Sequence, residues 1–132
     1  PICARVCPAK AIYKRKDGIV LIDDKKCIGC RYCEWACPYG SPQYDSDKGV
    51  MTKCTFCYDY IDEGKNPSCV DACPMRVLEF GELKDLKKKY GDVAEIYPLP
   101  DKNITKPAVV INPHKDSLKP SRNFHVANKE EV

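Results

Sequence analysis

Apolar positions along this chain come in short runs separated by charged and turn-forming residues. AIYKRKDGIVLID, residues 11–23, sets two β-rich runs on either side of Asp17-Gly18, the strongest short hairpin signal. SPQYDSDKGVMTK, residues 41–53, offers a second hairpin that turns near Asp47-Lys48-Gly49. Two short helices are expected over RYCEWA (31–36) and FCYDYIDEGK (56–65), the latter stopping at Gly64. VLEF (77–80) fits a strand, and ELKDLKKKYG (82–91) an amphipathic helix that ends at Gly91. Beyond Glu95 the chain carries prolines at 98, 100, 107, 113 and 120, with one expected strand, AVVI at 108–111. A tail of this kind lacks the periodicity of an independent domain, and it is expected to wrap over a neighbour.

No window approaches the roughly 18 apolar residues of a transmembrane helix. The 22 basic and 19 acidic residues leave a net charge of +3, too little for the concentrated basic stripe of a nucleic-acid binder. Lys87-Lys88-Lys89 is a basic run that reads as a solvated helix face. The 132 residues suffice for one compact domain or two small half-domains sharing a core.

Cysteine changes the picture. There are ten, at 3, 7, 27, 30, 33, 37, 54, 57, 69 and 73, against only three Phe and one Trp. A core this small that carries so many thiols needs them to hold it together, as bridges or as ligands. They fall into three blocks that each end in Cys-x3-Cys-Pro: Cys3–Pro8, Cys27–Pro38 and Cys54–Pro74, an internal repeat. Disulfides suit distant partners, whereas cysteines at every third residue of one loop crowd each other. Zinc takes two separated Cys-x2-Cys pairs and would leave the third cysteine of CIGCRYC surplus. A [4Fe–4S] cube needs thiolates at separated corners. The run Cys27-x2-Cys30-x2-Cys33-x3-Cys37-Pro38 has the spacing of two-cluster bacterial ferredoxins, whose fourth cysteine ligates the other cluster. Cys27, Cys30 and Cys33 are therefore expected to hold one cluster, which Cys7 completes. Cys37 joins Cys3 on a second cluster, Cys54, Cys57 and Cys69 form a third set, and Cys73 belongs to a fourth. Only the first set is complete, and six further donors would make four clusters. Because the chain opens at Pro1 already inside a cysteine motif, those six are expected upstream of Pro1, in a longer protein.

CIGCRYCEWACPYGSPQY, GVMTKCTFCYDYIDEGKNPSCVDACPMRVLEFGEL, PLP and TKPAVVINP together resemble one family over nearly the whole chain. It is the iron–sulfur electron-transfer subunit (B subunit) of anaerobic dimethyl sulfoxide reductase and related molybdopterin oxidoreductases. The eleven-residue spacer before Cys69 is more specific than a ferredoxin motif alone. The resemblance implies an α+β fold of tandem ferredoxin-like, two-cluster (dicluster) halves with short hairpins and helices, plus an irregular Pro-rich C-terminal extension. It implies four [4Fe–4S] clusters in a row, with ligands shared between the first and fourth cysteine blocks and between the second and third. Here Cys3 and Cys7 match the end of the second block, Cys27 to Cys37 the third and Cys54 to Cys73 the fourth. It further implies a catalytic molybdopterin subunit and an integral membrane anchor that oxidises quinol, so that the chain is membrane-associated through its partners.

The expected function is a non-catalytic relay. No nucleophile–base pair, phosphate loop or open metal position stands out. The expected organisation is a ferredoxin-like cluster-binding region over 1–80 and a helix with a docking tail over 81–132. A free polyferredoxin-type carrier is the alternative within the same chemistry, and a zinc-binding structural or nucleic-acid module the alternative outside it. Trp35 is expected to pack over a cluster, and Tyr32, Tyr39 and Tyr44 to fill gaps around one. Arg31 and Lys53, each beside a cysteine, are equally readable as surface charge or as cations that raise a cluster's potential. His114 and His125 have no second histidine at ligand spacing and read as exposed loop residues.

Overall fold

Both expected hairpins form in a computed structural model, which describes residues 1–115 and residue 117. β1 (Ile12–Lys14) pairs antiparallel with β2 (Val20–Ile22), with Tyr13 opposite Leu21. Arg15 N–H donates to Ile19 O at 2.7 Å and Gly18 N–H to Arg15 O at 3.0 Å, leaving Gly18 at φ +97°. That is a three-residue loop whose glycine supplies the left-handed residue of a bulge. β3 (Gln43–Asp45) pairs antiparallel with β4 (Val50–Thr52). Its turn is closed by Gly49 N–H to Asp45 O at 2.8 Å, and Asp45 Oδ1 accepts from Asp47 and Lys48 N–H, both at 3.1 Å.

Each hairpin remains a separate two-stranded sheet. Such a ribbon is marginal in water by itself, and so are the five-residue helices α1 (Ile2–Val6), α2 (Tyr32–Ala36) and α3 (Tyr58–Asp62). Packing has to hold them. Ile12, Cys33 and Met51 form the buried centre, with Cys3, Ala4, Cys7, Val20, Ile22 and Cys27 against it. Met51, at 2% exposure, is the plug of that centre. Met51→Ala should lower unfolding free energy by about 2–5 kcal/mol, read as a shifted denaturant midpoint. Tyr44→Ala, at a side chain 41% exposed opposite Met51 in the register, should shift it less.

α1 and α4 (Ser68–Asp71) leave no mark in the sequence pattern, because four or five residues give no helical period to read. Two expected strands do not form. VLEF (77–80) has no strand partner, and the amides of Val77 and Leu78 turn onto the Cys73 sulfur instead. AVVI (108–111) makes one backbone bond, Ile111 N–H to Val93 O at 2.8 Å. The prolines at 107 and 113 deny donors on either side of it.

The chain divides into two compact units, Pro1–Gly81 and a second that begins at Glu82. In the second, α5 (Leu83–Tyr90) ends at Gly91 as its sequence suggests, and Lys87 pairs with Asp92 at 2.6 Å. α6 (Lys102–Thr105) is capped by Asp101, whose carboxylate accepts Asn103 N–H at 2.7 Å.

Candidate metal centre

The same local device follows each terminal cysteine. Proline succeeds Cys7, Cys37 and Cys73, and the amide three residues on donates back to the cysteine carbonyl. These bonds are Lys10 N–H to Cys7 O at 3.2 Å, Gly40 to Cys37 at 3.1 Å and Arg76 to Cys73 at 3.2 Å. Proline presets the first turn position, and Lys10, Gly40 and Arg76 adopt φ of +51°, +60° and +52°. A left-handed residue there reverses the chain and aims the next amides at the sulfur. Ala11 N–H donates to Cys7 Sγ at 3.3 Å and Ser41 N–H to Cys37 Sγ at 3.4 Å. At Cys73 the amides of Val77, Leu78, Met75 and Arg76 hold the thiol below its ordinary pKa, Val77 most of all. Donors aimed at sulfur stabilise thiolate, the form that ligates metal.

A second device shapes the two Cys-x2-Cys loops. Their third residues, Gly29 and Phe56, both sit in the left-handed region, at φ +65° and +62°. Phe56 N–H donates to Cys54 Sγ at 3.3 Å, and Met51 N–H reaches from β4 to Cys27 Sγ at 3.3 Å. Arg31 and Cys57, at φ +64° and +48°, then start α2 and α3.

All ten cysteines are free thiols; Cys33 is buried, Cys54 and Cys69 are exposed, and the others are half-buried. Burial pushes the Cys33 thiol up, and the neighbouring Cys27 and Cys3 add to this. Cys3, Cys7, Cys27 and Cys33 thus gather around one apolar centre, while Cys30, Cys37, Cys54 and Cys73 lie outside it. Across the eleven-residue spacer the Cys57 thiol donates to Ser68 Oγ at 3.6 Å, the residue before Cys69. Asn66 Nδ2 to Asp71 Oδ1 at 2.9 Å and Arg76 Nη1 to Asp71 O at 3.1 Å staple that spacer. Among the described residues no three Cys, His, Asp or Glu side chains converge on a point that would suit one metal ion. Free thiols met by backbone amides at their sulfurs suit ligation as thiolates, the donors that hold an iron–sulfur cluster.

Trp35, two residues beyond Cys33 on a helix, points to the opposite side and is 72% exposed, its ring 5.6 Å from that of Tyr32. Tyr32, Tyr39 and Tyr44 are likewise exposed. Arg31 is committed to Glu34 at 2.8 Å and lies 5.3 Å from the centroid of the Tyr44 ring. Lys53 is half-buried, and its ammonium donates to Cys54 O at 2.8 Å. Burial lowers its pKa, while the Cys54 and Cys3 thiols favour its charge. His114 is exposed, and His125 lies outside the described residues. The amides of Ala11, Ser41, Met51, Phe56 and Val77 have no sequence signal beyond the Cys-Pro repeat itself.

A family model described as "4Fe-4S dicluster domain" matches residues 1–83. Over 134 aligned residues the chain is 52% identical to the B subunit of the anaerobic dimethyl sulfoxide reductase of Escherichia coli, covering 100% of this chain and 65% of that one. It is 51% identical over 92 residues to the B subunit of the sulfite dehydrogenase of Allochromatium vinosum (64% of this chain, 38% of that one). It is 36% identical over 125 residues to the selenate reductase subunit beta of Thauera selenatis (81% and 38%). The chain spans about two thirds of the length of the dimethyl sulfoxide reductase subunit it matches. By the match over residues 1–83, the chain belongs to the 4Fe-4S dicluster domain family, and its cofactor is the [4Fe–4S] cluster.

Proposed function

We propose that the chain is the electron-relay part of a molybdopterin oxidoreductase complex and does no substrate chemistry itself. The observation that carries this reading is the Cys-Pro turn repeated at Cys7, Cys37 and Cys73, each sulfur free of disulfide and met by backbone amides. When bound, a [4Fe–4S] cube supplies one-electron redox chemistry at a potential set by charge, hydrogen bonds and exposure. The residues supply the holding and the tuning. Cys27, Cys30, Cys33 and Cys7 form one complete donor set, and Cys3 with Cys37 contributes to a second. Cys54, Cys57 and Cys69 contribute to a third, and Cys73 to a fourth. The gathering of Cys7, Cys27 and Cys33 on one apolar centre supports the first set. The repeat of hairpin and cysteine block supports two ferredoxin-like halves.

The names of the matched relatives, subunits of a dimethyl sulfoxide reductase and of a selenate reductase, support a partner subunit that carries the catalytic molybdopterin. Among the described residues no helix is long and apolar enough to cross a membrane. Attachment to a membrane falls, in this reading, to an anchor subunit that feeds electrons in from quinol, as the resemblance to the dimethyl sulfoxide reductase family implies. The test is anaerobic purification with metal analysis: a brown, iron-loaded protein that co-purifies with a molybdenum subunit is expected. A colourless, zinc-loaded protein would refute the relay.

Lys53 gives a second measurement. A half-buried ammonium beside Cys54 favours the reduced, more negative state of a cluster held there. Lys53→Met should lower that cluster's midpoint potential by on the order of tens of millivolts in a redox titration followed by electron paramagnetic resonance. An unmoved potential would make Lys53 a surface charge.

A further inference from the structure

Arg15 is no ligand and belongs to no motif, yet it ties the first hairpin to the third cysteine block. Its guanidinium crosses 47 positions of sequence to grip Asp62 with both nitrogens, Nη1 to Oδ2 at 2.9 Å and Nη2 to Oδ1 at 2.5 Å. It also pairs with Asp17 at 2.9 Å and lies 5.5 Å from the centroid of the Tyr58 ring. Isolated surface ion pairs contribute little. This one has the features that make the exception: a fork matched to a carboxylate, an aromatic face, and a second acid. Arg15 itself is only 26% exposed, although Asp62 is 49% exposed.

The segment so gripped needs holding. Phe56 and Cys57 are consecutive non-glycine residues at φ +62° and +48°, a conformation that persists only where its surroundings over-determine it. α3, which starts directly after Cys57, has five residues and no side-chain cap. Inside the block, the Phe56 ring meets Phe80 at 5.6 Å, Phe56 N–H meets Cys54 Sγ, and Cys57 meets Ser68. Those ties all run within residues 54–80 and can move together. Arg15 fixes them to a hairpin that packs on the buried centre.

We infer that Arg15 is a positioning residue for the third cysteine block: by clamping Tyr58 and Asp62 at the two ends of α3, it holds Cys57, and with it Cys54, in cluster-binding geometry. The inference rests on the relay reading above. The test uses the holoprotein in its complex, comparing Arg15→Ala, Arg15→Lys, Asp62→Ala and the Arg15→Ala/Asp62→Ala double variant. In electron paramagnetic resonance, Arg15→Ala should lose most of the signal that Cys57→Ser abolishes and keep the signal that Cys27→Ser abolishes. Arg15→Lys, which keeps the charge but not the fork, should behave like alanine. The double variant should be no worse than either single one. Hydrogen exchange at residues 58–62 should quicken in Arg15→Ala. Retention of the Cys57-dependent signal, or equal loss of both signals, would overturn the inference, as would unchanged exchange over α3. If the unsubstituted protein showed no iron signal, the relay reading would fail, and the exchange result would still decide whether Arg15 clamps α3.

Discussion

Cys7→Ser and Cys27→Ser should erase the same paramagnetic signal from the reduced holoprotein, and Cys37→Ser should leave that signal standing. Cys7 and Cys27 belong to different cysteine blocks, but both pack against the centre formed by Ile12, Cys33 and Met51. Cys37 shares a block with Cys27 and lies outside that cluster, its sulfur facing Ser41 N–H. A serine oxygen is a harder donor than thiolate sulfur, so the expected change is loss or conversion of one whole signal. Cys3 gives the sharper discrimination. It too lies against the centre, next to Cys33, yet the crossover assigns it to the set of Cys37. Cys3→Ser should therefore act with Cys37→Ser. If Cys37→Ser and Cys27→Ser removed identical signals, the four cysteines of residues 27–37 would serve one centre and the crossover would be wrong.

Gly29→Ala should cost the protein both stability and a cluster, although Gly29 is not a ligand. Gly29 lies between Cys27 and Cys30 at φ +65°, a region that L side chains rarely adopt. Its backbone conformation is not the whole reason. Phe56 takes the same conformation at the corresponding place of the next block, so a side chain is tolerated there when space allows. At Gly29 space does not allow it. A Cβ would collide with the Gly49 carbonyl oxygen and stand 3.2 Å from Tyr44 Cε2, where the second hairpin presses on the loop. Backbone cannot swing aside as a flexible side chain can. Strain and overpacking together should cost about 2–4 kcal/mol, with loss of the cluster proposed for Cys27 and Cys30, measured by thermal unfolding and iron content. Gly64→Ala, at φ +76° in open space, should cost about 1 kcal/mol and spare the clusters. Equal effects at the two positions would show that conformation alone decides.

The parts of the fold that depend on neighbours in sequence were legible. Asp17-Gly18 and Asp47-Lys48-Gly49 turned where their glycines allowed, and Gly64 and Gly91 ended helices. The cysteine spacing pointed to the family. The amides that serve the sulfurs were hidden, because two of the three left-handed residues that aim them are Lys10 and Arg76, and neither announces such a turn. VLEF and AVVI had strand composition but no neighbouring strand to pair with, and composition says nothing of neighbours. Trp35 faces away from Cys33, because a residue two places further along a helix lies on the opposite side. The Arg15–Asp62 clamp, 47 residues apart, could be found only in three dimensions.

The Cys-Pro turn is closed by bonds that reach no further than four or five residues, and apart from prolines only five apolar side chains are buried among the described residues. A stretch of gene carrying one such turn can be duplicated without redesigning an interior. The long spacer between Cys57 and Cys69, stapled by its own side chains, shows how loosely one copy is bound to the dimensions of another. Conductors of different length can therefore arise by copying, with later substitutions left only to adjust each new link to its neighbours.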